Sequence, residues 1–164
     1  MTRVKLVVGT AITAFLSVLV ALSGSCHRLS EPLSELLAAP ETIMVASRAC
    51  TLATGLWRNF EPAEAPPDGW PLRAFAILCF WDTTARPPGV TADRIWVIKS
   101  DSEIWEARLA LSDYESSPNE LWSEAKNGPK WGPGIYVDVV VRVRDSERRQ
   151  YLLRAVHQRI SRIE

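Results

Sequence analysis

From residue 49 onward, apolar and polar positions alternate or gather in short blocks separated by proline and glycine, a strand pattern rather than a helical one. Residues 135–144 are the clearest case. Val137, Val139, Val141 and Val143 fall on one face, and Asp138, Arg142 and Arg144 on the other. Asp145-Ser146-Glu147-Arg148 turns the chain, and residues 151–160 return as the second strand of a hairpin. Another hairpin joins residues 95–99 and 104–111 about the polar Ser100-Asp101-Ser102-Glu103. It offers Trp96, Ile98, Trp105, Ala107 and Leu109 as one alternating set. Residues 49–58 read as a first strand. Residues 72–81 are almost continuously apolar, as in a central strand covered on both faces.

The breaks between these blocks are equally informative. Pro62, Pro66, Pro67, Asp68 and Gly69 mark one loop, and Arg86-Pro87-Pro88-Gly89 ends the central strand. Residues 112–134 form the longest irregular region, with a short helix predicted over 119–126 and a Pro/Gly loop over 127–134. About six short strands with little helix predict an all-β domain over residues 47–164, an antiparallel immunoglobulin-like sandwich. The likeness is architectural only, because Cys50 and Cys79 stand too close in sequence for the disulfide of an antibody domain.

The N-terminus follows a different plan. MTRVK is a basic head, residues 6–22 are uncharged and mainly apolar, and Ser23-Gly24-Ser25-Cys26 follows. A helix over that apolar run spans roughly 25 Å, short of the roughly 30 Å hydrocarbon core. The segment resembles a bacterial lipoprotein signal over residues 1–26 only. It departs from the usual pattern in having Leu22 four positions before Cys26 and Ser25 directly before it. The resemblance implies loss of residues 1–25 and lipidation of Cys26, which tethers the domain to a membrane of the bacterial cell envelope, facing the periplasm or the outside. His27 is not the aspartate of inner-membrane retention, which leans towards the outer membrane. An uncleaved inner-membrane signal anchor and ordinary cleavage are the alternatives. Residues 26–46 read as a tether, with a short helix begun by Ser30-Glu31-Pro32, given an apolar side by Leu33, Leu36 and Leu37, and ended by Pro40.

That compartment bears on the cysteines. With Cys26 lipidated, Cys50 and Cys79 remain as an even pair in an oxidising space, a candidate disulfide; two buried free thiols are the plainer alternative.

Charge and motifs exclude more than they select. Without Arg3 and Lys5, 17 of the 19 basic side chains remain against 19 acidic ones, no basis for nucleic-acid binding. His27 and His157 are the two histidines, and CxxC, GxSxG, HExxH and glycine-rich phosphate loops are all missing. No catalytic residue, metal site or cofactor is predicted. Asp101, Glu103 and Glu106 read as solvated acids around a turn.

Two features suit binding. Trp70 and Trp131, with Lys130, sit in Pro/Gly loops that can share one end of a sandwich, where they form either a ligand surface or lids over the core. Arg142 and Arg144 share a strand face and make a basic stripe for anionic lipid or an acidic protein, or else a plain solvated face. The expected function is a non-catalytic envelope lipoprotein that binds a protein partner or supports an envelope assembly. A module binding a glycan or small apolar molecule through the Trp loops is the second expectation, and a signal-anchored inner-membrane subunit the third.

Overall fold

Pairing of the apolar positions yields nine strands and one short helix in a computed structural model that describes residues 29–81, 85–114 and 117–164. They are α1 (Leu33–Ala38), β1 (Thr42–Val45), β2 (Arg48–Asn59), β3 (Leu72–Phe80), β4 (Thr91–Ser100), β5 (Glu103–Arg108), β6 (Ala110–Leu111), β7 (Glu120–Gly128), β8 (Tyr136–Arg144) and β9 (Gln150–Ile163). The fold is all-β. The apolar run of residues 6–22 and the proposed lipidation site, Cys26, lie outside the described residues. Among the described residues, no helix is long and apolar enough to cross a membrane.

The strands form one hydrogen-bonded path, β5-β4-β8-β9-β2-β3-β7-β6, with β1 added beside β2. Its two ends, β5 and β6, are separated by the single residue Leu109, so the sheet returns on itself. Leu109 N–H donates to the Asp93 carbonyl (3.1 Å) at that bend. A second bend lies in β9. Residues up to Arg159 pair with β8, whereas Ile160 onward pairs with β2, at Leu56–Asn59. His157 at this bend has φ of +57°, and the β8–β9 register slips between Val137 and Val139, a bulge that re-aims the strand. The β2–β9 pairing is parallel, which the expectation of a wholly antiparallel sheet did not include.

Period-two alternation explains the core. Val137, Val139, Val141 and Val143 point inward and meet Ile95, Val97, Leu56, Leu72, Leu78, Leu121, Leu153 and Ile160 in one cluster. Strand β7 replaces the helix predicted over 119–126. Leu121, Ser123 and Ala125 face inward opposite Leu78, Ala76 and Ala74 of β3. The inward set is small and partly polar, so its alternation is weak in sequence. The hairpin face also needs correction. Trp96 lies opposite Glu106, and Val97 opposite Trp105, so Trp96 and Ile98 point outward while Trp105, Ala107 and Leu109 pack on the main core. A register slip between Ile98 and Ser100 at the turn separates the two sets.

The outward set is buried because the expected tether covers it. Leu36 is fully buried on Trp96, Ile98 and Val140, with Ala39, Leu29, Leu33 and Leu37 around them. Burying one leucine is worth about 1.5–3 kcal/mol. A six-residue helix is marginal alone, so α1 depends on this contact. Polar links reinforce it. Ser30 N–H donates to Glu106 Oε2 (3.0 Å), Arg154 N–H donates to the Pro40 carbonyl (2.9 Å), and Arg154 Nη1 donates to the Leu37 carbonyl. Residues 42–45 then enter the sheet as β1. The described part of the predicted tether is thus a docked strap, since its leucines and the outward Trp96 bury each other.

Candidate binding site at the loop end

The penultimate residue of β2 is Arg58, only 4% exposed, whose guanidinium is spent on backbone carbonyls of both Pro/Gly loops. Nε donates to Trp70 O (2.9 Å), Nη1 to Lys130 O (3.0 Å) and Trp131 O (3.2 Å), and Nη2 to Asp68 O. Outside this latch, Lys130 Nζ lies 2.6 Å from Asp68 Oδ2. That hydrogen bond holds the Asp68 carboxyl below its usual range. Gly69 is required in the first loop. Its φ is +74°, and an added Cβ would meet the Phe60 ring at 2.6 Å. The loops carrying Trp70 and Trp131 therefore share one end of the fold.

The two rings take different places there. Trp131 is half-buried against the main core, with Lys99 Nζ 5.8 Å from its ring centre. Trp70 is 46% exposed and lines an open cleft of about 350 Å³ with Trp57, Asn59, Glu64, Arg73 and Asn127.

Beside the cleft, the outer face of β2, β3 and β7 carries a set of aromatic rings. Trp57 and Phe75 lie 4.9 Å apart, and Phe75 meets Tyr114 (5.3 Å) and Trp122 (5.7 Å) edge-on. The Arg73 guanidinium sits 5.5 Å from the Trp57 ring centre and 3.0 Å from Glu124. Further along the same face, Met44 lies opposite Ala49, and Trp81 N–H bonds to Ala49 O; Trp81 is 73% exposed. These aromatics were not separable from core residues in the sequence. Phe75 is hidden in the continuous run of β3, and Trp122 lies in the segment read as helix.

The basic stripe is neutralised. Arg142 is 12% exposed in its side chain and donates from Nε (2.8 Å) and Nη2 (2.9 Å) to the Asp93 carboxylate, with Glu31 at 3.4 Å. Arg144 reaches Asp93 at 3.1 Å, and Arg154 pairs with Asp138. Burial pushes the Asp93 carboxyl up, but its hydrogen bonds and charge attraction to Arg142, with Arg144 and Arg94 adding, outweigh this and hold it low. The acids around the turn are similarly occupied: Glu103 binds Lys99 (2.7 Å), and Glu106 binds Arg94. The His157 ring stacks on Tyr136 at 4.1 Å, and the His157 backbone N–H donates to Asp138 Oδ1 (2.8 Å).

Cys50 and Cys79, the candidate disulfide pair, stand as two free thiols in the structure. Cys50 lies opposite Phe80 and Cys79 opposite Thr51, so the two side chains leave opposite faces of the β2–β3 pair. Bridging them requires a one-residue register shift, which would turn one strand's core side chains outward. Burial, with the Cys79 charge adding, pushes the Cys50 thiol up to about 12. No group of histidine, cysteine and acidic side chains among the described residues could hold a metal ion.

No protein-family model matches this chain, and it matches no curated protein and no solved structure.

Proposed function

We propose that the chain is a non-catalytic binding domain of the bacterial cell envelope, tethered through a lipidated Cys26, that docks a protein partner on the outer face of β2, β3 and β7. The observation that carries this reading is the contrast between the two outer faces. One is covered by α1, whereas the other leaves Tyr114, Met44 and Trp81 exposed, without a cover among the described residues, around a Phe75 buried by Trp57, Tyr114 and the half-buried Trp122. Aromatic anchors bordered by Arg73 and Glu124 match the composition of protein interfaces. The tether supports a defined orientation. Six residues separate Cys26 from Leu33 and reach at most about 20 Å, so the α1 side faces the membrane and the aromatic face looks away. The immunoglobulin-like sandwich belongs to the same proposal; its support is one core shared between the inner faces of β3–β7 and β4–β8.

Photocrosslinking in membranes tests the docking face. A photoreactive residue at Tyr114 should capture one stoichiometric protein that the same residue at Ser102, on the β4–β5 turn, does not. Tyr114→Ala with Trp122→Ala should abolish the reconstituted complex. Equal capture at both positions, or a complex indifferent to the double variant, refutes the face. The mass of the N-terminal peptide tests the tether separately: acylated Cys26 supports it, and an intact Met1 or Thr2 overturns it.

A further inference from the structure

The geometry points to a second site, beyond the docking face: the cleft between Trp57 and Trp70 binds a neutral saccharide, with the Trp70 ring as its stacking platform. Three observations carry this. The first is the lining, which sets two tryptophans beside Asn59, Asn127, Glu64 and Arg73. A sugar ring needs both kinds of group, an aromatic plane against its C–H face and amide or carboxylate groups at its edge for the hydroxyls. A purely apolar ligand would leave those polar groups unpaired and desolvated.

The second is unspent hydrogen-bonding capacity. Asn59 Oδ1 accepts from Glu61 N–H (2.7 Å), which leaves its amide NH₂ open. Among the described residues, the Asn127 and Glu64 side chains make no hydrogen bond. Arg73 Nε is buried without a partner, although Nη2 holds Glu124. The solvent-facing Asn127 and Glu64 side chains and the open Asn59 amide are thus free to meet a ligand's hydroxyls.

The third is charge. Glu124 binds both Arg73 (3.0 Å) and Lys126 (2.6 Å), and Glu64 supplies a second carboxylate. The two cations of the lining, Arg73 and Lys126, are thus both engaged by a carboxylate just outside it and share the cleft with Glu64, which disfavours a phosphate or sugar acid and favours a neutral polyhydroxyl compound.

The Arg58 latch makes the site rigid. Trp70 is held through its carbonyl, so its ring can be removed without cutting the latch. Asn127 has φ of +65°, which glycine adopts freely, so Asn127→Gly removes the amide without backbone strain.

The test is calorimetric titration of detergent-solubilised full-length protein with chitotriose, cellotriose and maltotriose, and with trigalacturonic acid as the anionic comparison. At least one neutral trisaccharide should bind. Trp70→Ala should weaken it by about tenfold or more, equivalent to about 1.4 kcal/mol. Asn127→Gly should weaken it severalfold. Trp131→Phe, which alters the half-buried ring outside the cleft, should bind as the parent does. Absence of binding by all three neutral sugars overturns the inference, as does preference for the anionic trimer or unchanged affinity in Trp70→Ala. Crosslinking at Tyr114 is unaffected by any of these results, so the saccharide site and the docking face stand or fall separately.

Discussion

Replacing Arg58 by methionine keeps most of the apolar stem but removes a guanidinium that four backbone carbonyls share. The acceptors are on Asp68, Trp70, Lys130 and Trp131, which lie on two loops separated by about sixty residues of chain. Each hydrogen bond to a charged group contributes about 1.5–3 kcal/mol net, and a carbonyl left buried without a partner costs about 1–3 kcal/mol. The loop carbonyls can turn partly to water, so the full sum is not lost. We expect a destabilisation of about 3–5 kcal/mol, the range for breaking a buried charged contact. At a slope of about 2 kcal/mol per molar, this lowers the urea midpoint by about 2 M. Arg58→Lys separates charge from geometry. One ammonium cannot reach four carbonyls spread around a planar fork, so lysine should recover less than half of the loss. Both variants should also make Trp70 and Trp131 more accessible to acrylamide quenching. A midpoint shift under about 0.5 M for Arg58→Met, with unchanged quenching, would refute the latch.

Three other outcomes follow from the same geometry. Leu36→Ala should cost about 2–4 kcal/mol and expose residues 29–41 to proteolysis, because the contact with Trp96 and Val140 is what holds α1; an unchanged nicking rate would contradict this. Unfolding without reductant should reveal two titratable thiols besides Cys26. In the native state Cys79 should react before Cys50, and a count of zero would mean that the pair is bridged after all. Asp93, Asp138 and Glu106 all have folded-state affinities for protons below their ordinary values. Their contribution is therefore complete above the ordinary carboxyl range and is lost as pH falls from about 4 through the lowered values. Asp93→Asn should flatten the acid limb of a stability-against-pH curve, and an unaltered slope would show that Arg142 and Arg144 gain nothing from Asp93.

Much of the strand content was legible because it depends on local alternation. Val137, Val139, Val141 and Val143 repeat every two residues, and a strand is the only regular element that puts all four on one face. The continuous apolar run of β3 likewise showed that both of its faces would be covered, and Phe75 on its outer side is indeed buried among aromatic rings. Strand β7 was missed because Leu121, Ser123 and Ala125 form too weak an apolar set to reveal a period. Only pairing with β3 establishes their direction.

What the sequence by itself determined is the class of fold and the positions of its loops, since hydrophobic periodicity and Pro/Gly punctuation act over a few residues. The site was decided by tertiary structure. Nothing near Arg58 in the chain announces that its fork will hold loops at 68–70 and 130–131, nor that Arg142 will meet Asp93 instead of solvent. Register alone sends Cys50 and Cys79 to opposite faces, although each is an ordinary strand residue with the spacing of a possible bridge. The predicted tether became a strap because Trp96 points outward and buries Leu36. In each case the deciding partner is distant in sequence, and its contact exists only after closure of the sheet has brought the two segments together.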